Sequence, residues 1–191
     1  INDFNGILYP SVFDKKITYT TLGNDAGSNP KNFKIQKNIL YKGKASITNG
    51  EFDFSFIVPK DIAYAYGPGK LSYYAENGIE DAAGYFNDII IGGSSDTAGT
   101  DNNGPVINLY LNDSSFVFGG ITDESPSIYA TMHDENGINT VGNGIGHDIV
   151  ATLDNETDNQ LILNDYYEAD IDSYTSGSVR YKLSDLEEGS H

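Results

Sequence analysis

Apolar and polar residues alternate with a period of two in several short runs, the spacing that puts one set of side chains on a buried sheet face. Phe52, Phe54, Phe56 and Val58 alternate with Asp53, Ser55 and Ile57, which predicts a strand with its phenylalanines inward. Asn49-Gly50 before it is a two-residue hairpin turn, joined on its other side to a strand over Lys44 to Thr48. Pro59 ends the run, because proline cannot donate to a ladder. Further strands are predicted over Ile7 to Phe13, Ile17 to Leu22, Phe33 to Tyr41, Lys70 to Ala75 and Tyr85 to Ile91. Past residue 105 the style repeats. Ile107, Leu109 and Leu111 alternate with Asn108 and Tyr110, Ile149, Ala151 and Leu153 with Val150 and Thr152, and Val179, Tyr181 and Leu183 with Arg180 and Lys182. Shorter runs lie at Ser127 to His133 and Leu161 to Asn164.

Composition strengthens this reading. Ile, Val, Thr, Tyr and Phe supply 62 of the 191 residues, and Gly, Pro, Asn, Asp and Ser supply 81, the turn residues that many short strands consume. The predicted class is all-β, built as β-sandwiches. Residues 92–105 hold no large apolar side chain except at the Pro105 end, and read as a linker or long loop. Charge divides at the same place. Residues 1–96 carry nine lysines against eleven carboxylates, a balance of −2, whereas residues 97–191 carry Lys182 and Arg180 against seventeen, a balance of −15. The expected organisation is a first sandwich over 1–96, a linker over 97–105 and a strongly acidic second sandwich over 106–191.

The net charge of −17 repels phosphates, so nucleic acid is not an expected partner. No apolar run approaches the ~20 residues of a membrane-spanning helix. Cysteine is absent, which removes disulfides, thiolate metal sites and a cysteine nucleophile together. The first residue is Ile1, followed by Asn2-Asp3 where a basic signal region would stand, and the chain reads as a fragment of a longer precursor.

Candidate chemistry is thin. The histidines are His133, His147 and His191, and no Gly-x-Ser-x-Gly elbow accompanies them, so a Ser-His-Asp hydrolase is not expected. Asp154, Glu156 and Asp158 stand at i, i+2 and i+4, with Asp165 at a twelfth position, and make a calcium candidate. The loop lacks the glycine at its sixth position, where Asn159 stands, and the long bidentate Glu at its twelfth, so solvated turn acids account for the same residues. Asp170 with Asp172, and Asp101 to Gly104, are further acidic clusters of that kind. Gly142-x-Gly144-x-Gly146 precedes a predicted strand, not a helix N-terminus, and does not form a phosphate cradle. Tyr64, Tyr66, Tyr73, Tyr74, Tyr166, Tyr167 and Tyr174 could stack on sugars, but tyrosine also suits half-buried strands, and tryptophan is absent.

A collinear series of motifs carries a resemblance over nearly the whole chain. It comprises Asp3-Phe4-Asn5-Gly6 through Pro10, Phe13-Asp14-Lys15, Leu40-Tyr41-Lys42-Gly43-Lys44-Ala45-Ser46, Asn49-Gly50 and Phe54-Ser55-Phe56-Ile57-Val58-Pro59-Lys60-Asp61-Ile62. Leu71-Ser72-Tyr73-Tyr74-Ala75 and Asp81-Ala82-Ala83-Gly84-Tyr85-Phe86-Asn87 follow. The second half adds Asp134-Glu135-Asn136-Gly137-Ile138-Asn139, Gly142-Asn143-Gly144-Ile145-Gly146-His147-Asp148-Ile149 and Leu163-Asn164-Asp165-Tyr166-Tyr167. The series resembles the region downstream of the peptidase domain in gingipain-like cysteine peptidases of Bacteroidota, in particular the sortase component of type IX secretion.

The resemblance implies two consecutive immunoglobulin-like β-sandwich domains with terminal strands missing. It implies a parent cysteine peptidase or transpeptidase at the cell surface, associated with the outer membrane, whose catalytic Cys and His lie outside this region. No catalytic residue carries over, because this chain has no cysteine to receive one. The expected role is a non-catalytic structural or interaction region that spaces or docks the peptidase, with cargo or outer-membrane proteins as partners and no cofactor beyond the calcium candidate. A stand-alone surface adhesin or glycan-binding sandwich is the alternative. The missing ends also predict vacant edges beside Val179 to Leu183 and Ile7 to Phe13, open to strand exchange between chains.

Overall fold

A computed structural model describes residues 3–59, 62, 64–96, 103–140, 148–158 and 160–191, and among them there is no α-helix. In chain order the first strands are β1 (Gly6–Phe13), β2 (Ile17–Thr20), β3 (Asn32–Ile35), β4 (Ile39–Lys42) and β5 (Ala45–Ile47). Then come β6 (Gly67–Pro68), β7 (Lys70–Glu76), β8 (Asp81–Phe86), β9 (Ile90–Ile91), β10 (Val106–Leu111) and β11 (Ser127–His133). The last are β12 (Val150–Ala151), β13 (Leu161–Ile162), a 3-10 turn (Asn164–Tyr166), β14 (Tyr167–Ala169) and β15 (Ser176–Lys182). The protein is all-β, and every named ladder is antiparallel.

Two larger sheets organise the chain. In one, the order is β4-β1-β7-β8, with β5 pairing β1 beyond β4. In the other, it is β10-β11-β15-β14. β1 is central because its alternate residues Leu8, Pro10 and Val12 are buried, and a strand with a buried face needs neighbours on both sides to satisfy its backbone. Leu8 packs with Phe4, Ala45 and Ile47, and Val12 with Leu40 and Tyr41. In the second sheet Met132, Ala130, Val179, Tyr167 and Ala169 share a face that Leu163 covers. Gly177 sits opposite Ala169, where a Cβ would collide with the Tyr167 hydroxyl and the Glu168 carbonyl. Only glycine lets that ring lie across β15.

Several expectations change. The predicted run from Tyr85 to Ile91 is divided between β8 and β9. Phe52 to Val58 joins no ladder; after the single bridge Thr48↔Glu51 the segment leaves its partner. Stacking replaces pairing there, since Phe54 and Phe56 lie on the Tyr41 ring with centroids at 5.9 and 4.8 Å. The run from Phe33 to Tyr41 is two strands, because the chain leaves β3 to place Gln36 against the Asp14 carbonyl before β4 begins. The vacant edges are also elsewhere: β15 lies between β11 and β14, and β1 between β4 or β5 and β7. Among the described strands the outer ones are β4 with β5 and β8 in one sheet and β10 and β14 in the other, and the poorly covered ones are β10 and β8. Their inward residues are bare, with Ile107, Leu109 and Phe86 all exposed.

The described ladders fall within residues 6–91 or within 106–182, joined by the isolated parallel bridge Lys44↔Ile171.

Candidate functional site

The bridge between the two sheets begins with a turn. Asn49 and Gly50 both take positive φ, 54° and 80°, the pairing that a two-residue hairpin turn of this type requires. The turn projects residues 44–55 toward the loop 170–174 that precedes β15. There Asp172 stands at φ 58°, a left-handed conformation that Asp tolerates better than most side chains. Its carboxylate accepts the Ser46 backbone N–H and the Ser46 hydroxyl, each at 2.7 Å, while its own N–H donates to the Lys44 carbonyl at 2.9 Å. These bonds, first that from the Ser46 backbone, hold the Asp172 carboxyl below its ordinary range. Beside them the Lys44 ammonium donates to Glu168, which lowers the Glu168 pKa as well. Tyr174 completes the junction by packing on the Val12, Leu40 and Tyr41 cluster. Burial, followed by the nearby Asp172 charge, raises the Tyr41 pKa.

Between hairpin and loop lies a cleft of about 770 Å³ whose lining mixes the rings of Tyr41, Phe52, Phe54 and Tyr174 with Lys44, three carboxylates (Glu51, Asp53 and Asp172) and several serine, threonine and asparagine side chains. Phe52 keeps 44% of its surface exposed although its ring also meets Tyr73 at 5.7 Å.

The residues singled out from the sequence lie elsewhere. The Asp154 carboxylate accepts a hydrogen bond from His191 Nδ1 at 2.9 Å, and the Glu187 carbonyl accepts from Nε2 at the same distance. The Glu187 carbonyl, then Asp154, raise the His191 pKa. Glu156 closes a turn through its backbone on Leu153, Asp158 is exposed, and Asp165 sits in the 3-10 turn. Among the described residues no three His, Asp or Glu side chains converge as a metal site. His133 is exposed at the end of β11, and the buried Asp134 caps the following turn by accepting the Asn136 N–H at 2.8 Å. His147, Gly142 to Gly146, and Asp101 and Asn102 lie outside the described residues. Tyr64 and Tyr66 are exposed in the segment before β6, Tyr74 is exposed on β7, and Tyr167 is buried.

The junction of Ser46 with Asp172 was not legible in the sequence. Asp172 reads there as half of an i, i+2 acid pair with Asp170, and nothing local signals a partner 126 residues away. Its one trace is the turn chemistry that places an Asp where φ is positive.

Fold and site together define an all-β protein of antiparallel sheets that contains no cysteine, and hence no thiol nucleophile of its own. Among the described residues no helix is long and apolar enough to cross a membrane. The chain is similar to a solved structure described as dimeric latent PorU from Porphyromonas gingivalis, with 32% identity, a TM-score of 0.49, and coverage of 97% of this chain. It spans 18% of that chain's length. No protein-family model matches, and no curated protein does.

Proposed function

We propose that this chain is a non-catalytic structural and interaction region of a cell-surface, gingipain-type sortase, a cysteine peptidase or transpeptidase of type IX protein secretion. The observation that carries this reading is the collinear motif series from Asp3-Phe4-Asn5-Gly6 to Leu163-Asn164-Asp165-Tyr166-Tyr167, in a chain without cysteine. In this reading residues 1–96 and 106–191 are two immunoglobulin-like sandwiches, the second strongly acidic, and catalysis belongs to another part of the same polypeptide.

Surface exposure supports an interaction role. Several large apolar side chains stand exposed on the described strands. Ile107 and Leu109 continue the buried face of the second sheet onto its open edge. Uncovered apolar faces and unpaired edges of this kind mark places where another strand or subunit adds. The partners in this reading are cargo or outer-membrane proteins, at the cell surface.

The test is the reading frame in the source genome. A peptidase domain with a Cys and a His encoded in frame upstream of Ile1 is expected. An isolated frame that encodes these sandwiches alone would favour a stand-alone adhesin.

A further inference from the structure

We infer that Asn77 is a modification site at which the chain converts its own asparagine to aspartate and isoaspartate, with the Glu76 carboxylate as base. The Asn77-Gly78 turn between β7 and β8 assembles what that reaction needs. The Gly78 N–H donates to Glu76 Oε2 at 2.9 Å, and the Tyr9 hydroxyl donates to Oε1 at 3.3 Å, which fixes the carboxylate against the turn. Asn77 Oδ1 accepts the Ile79 N–H at 3.0 Å and the Glu80 N–H at 2.8 Å, so two donors face the oxygen on which negative charge develops. Residues 77–80 are exposed to water, and a Cβ at Gly78 would meet nothing within 4 Å, so no neighbour obstructs closure of a ring.

The Gly78 N–H gives its proton to Glu76, and the nitrogen attacks the Asn77 side-chain carbon Cγ. The Cγ–Nδ2 bond breaks, the proton passes to Nδ2, and ammonia departs to leave a cyclic imide. Water then opens the ring. Cleavage of the new N–Cγ bond yields aspartate with the original main chain. Cleavage of the other N–C bond yields isoaspartate, whose main chain runs through Cγ and is longer by a methylene. Either product adds a carboxylate between Glu76 and Glu80, at the tip of the hairpin that carries the exposed strand β8. Asn-Gly recurs at Asn49-Gly50 and Asn136-Gly137. There the glycine N–H donates to a main-chain carbonyl, that of Phe4 at 2.8 Å and that of Asp134 at 3.1 Å, and a carbonyl of that kind takes no proton. This chemistry does not depend on the parent being a peptidase.

The experiment incubates the folded 191-residue chain near neutral pH in water enriched in heavy oxygen, and follows these three Asn-Gly pairs by peptide mapping and mass spectrometry. Heavy oxygen should enter at Asn77 ahead of Asn49 and Asn136, with isoaspartate among the products. Glu76→Gln should slow Asn77 roughly tenfold, less than a well-matched base contributes, because a carboxylate is a weak base toward an amide proton. The rates at Asn49 and Asn136 should not change in that variant. Glu80→Gln removes a charge from the same turn but leaves the carboxylate on the Gly78 N–H, and should keep the native rate. In guanidinium the three pairs should converge, because only the folded chain sets Glu76 against Gly78. Conversion at Asn77 no faster than at the other two would overturn the site. So would an unchanged rate in Glu76→Gln, equal slowing by Glu80→Gln, or a preference for Asn77 that survives unfolding.

Discussion

The Asp172 carboxylate holds both the N–H and the hydroxyl of Ser46 at 2.7 Å, tying the loop before β15 to the strand β5. Together with the Asp172 N–H on the Lys44 carbonyl and the packing of Tyr174 on the Val12 cluster, it joins the two sheets without sharing a continuous ladder. Asp172 and Ser46 are exposed, as is Glu168, but the Asp172 carboxylate accepts two bonds from Ser46 in a fixed geometry, whereas Lys44–Glu168 is a single ion pair and counts for little.

Asp172→Ala should therefore lower the melting temperature by roughly 2–4 °C, and Asp172→Asn by less. Asparagine tolerates the positive φ and keeps one acceptor, whereas alanine loses both bonds and is strained. Lys44→Met should change it by under about 1 °C. Differential scanning calorimetry ranks the three; an effect of Lys44→Met larger than that of Asp172→Ala would contradict the assignment.

Acid should loosen the same junction. Asp172 and Glu168 both have folded pKa values depressed below their unfolded ones. Such groups contribute stability that is fully present above the unfolded value of about 4 and is lost as pH falls through the lower folded values. The melting temperature should accordingly fall below about pH 4, and Asp172→Asn should flatten that fall. His191 works in the opposite direction: its raised pKa means that its contribution is present below about pH 6.5 and fades as pH rises past the folded value. His191→Gln should reduce the dependence between pH 6 and 8 and leave the acid limb intact.

Packing differs sharply between β15 and β10. Gly177→Ala forces a methyl into the Tyr167 hydroxyl and the Glu168 carbonyl, and should cost about 1–3 kcal/mol. Leu8→Ala, at a side chain only 2% exposed, should cost about 2–5 kcal/mol. Leu109→Lys, at 68% exposure, should cost less than about 0.5 kcal/mol and reduce self-association in sedimentation. A large loss of stability on Leu109→Lys would show that β10 is covered.

The sequence carried the central strands well. β11 is Ser127–His133 as its alternation predicts, and β1 and β15 begin one and three residues ahead of the predicted runs. Alternation is informative where one face is buried and the other is wet, and those strands meet that condition. It misled at Phe52 to Val58, where Phe54 and Phe56 do face inward yet find rings in place of a backbone partner. β8 starts at Asp81, earlier than the predicted Tyr85, because Asn77-Gly78 makes a second hairpin turn. There Asn77 Oδ1 accepts the N–H groups of Ile79 and Glu80, and Gly78 takes φ 82°. The Asn-Gly pair was as readable there as at Asn49-Gly50, but Asp81 to Gly84 lacks β-branched residues and hid the strand. β14 is three residues long, below what any periodicity resolves. The cleft was invisible for a different reason: its two sides come from hairpin 44–55 and loop 170–174, and only the tertiary fold brings them together.

The most direct test of the proposed role labels the native polypeptide that contains this sequence with a biotinylated, cysteine-directed peptidase probe, then maps the label by digestion and mass spectrometry. The account predicts a labelled cysteine in the same polypeptide on the N-terminal side of Ile1, with these 191 residues unmodified. A native polypeptide that carries this sequence but no reactive peptidase cysteine would contradict it.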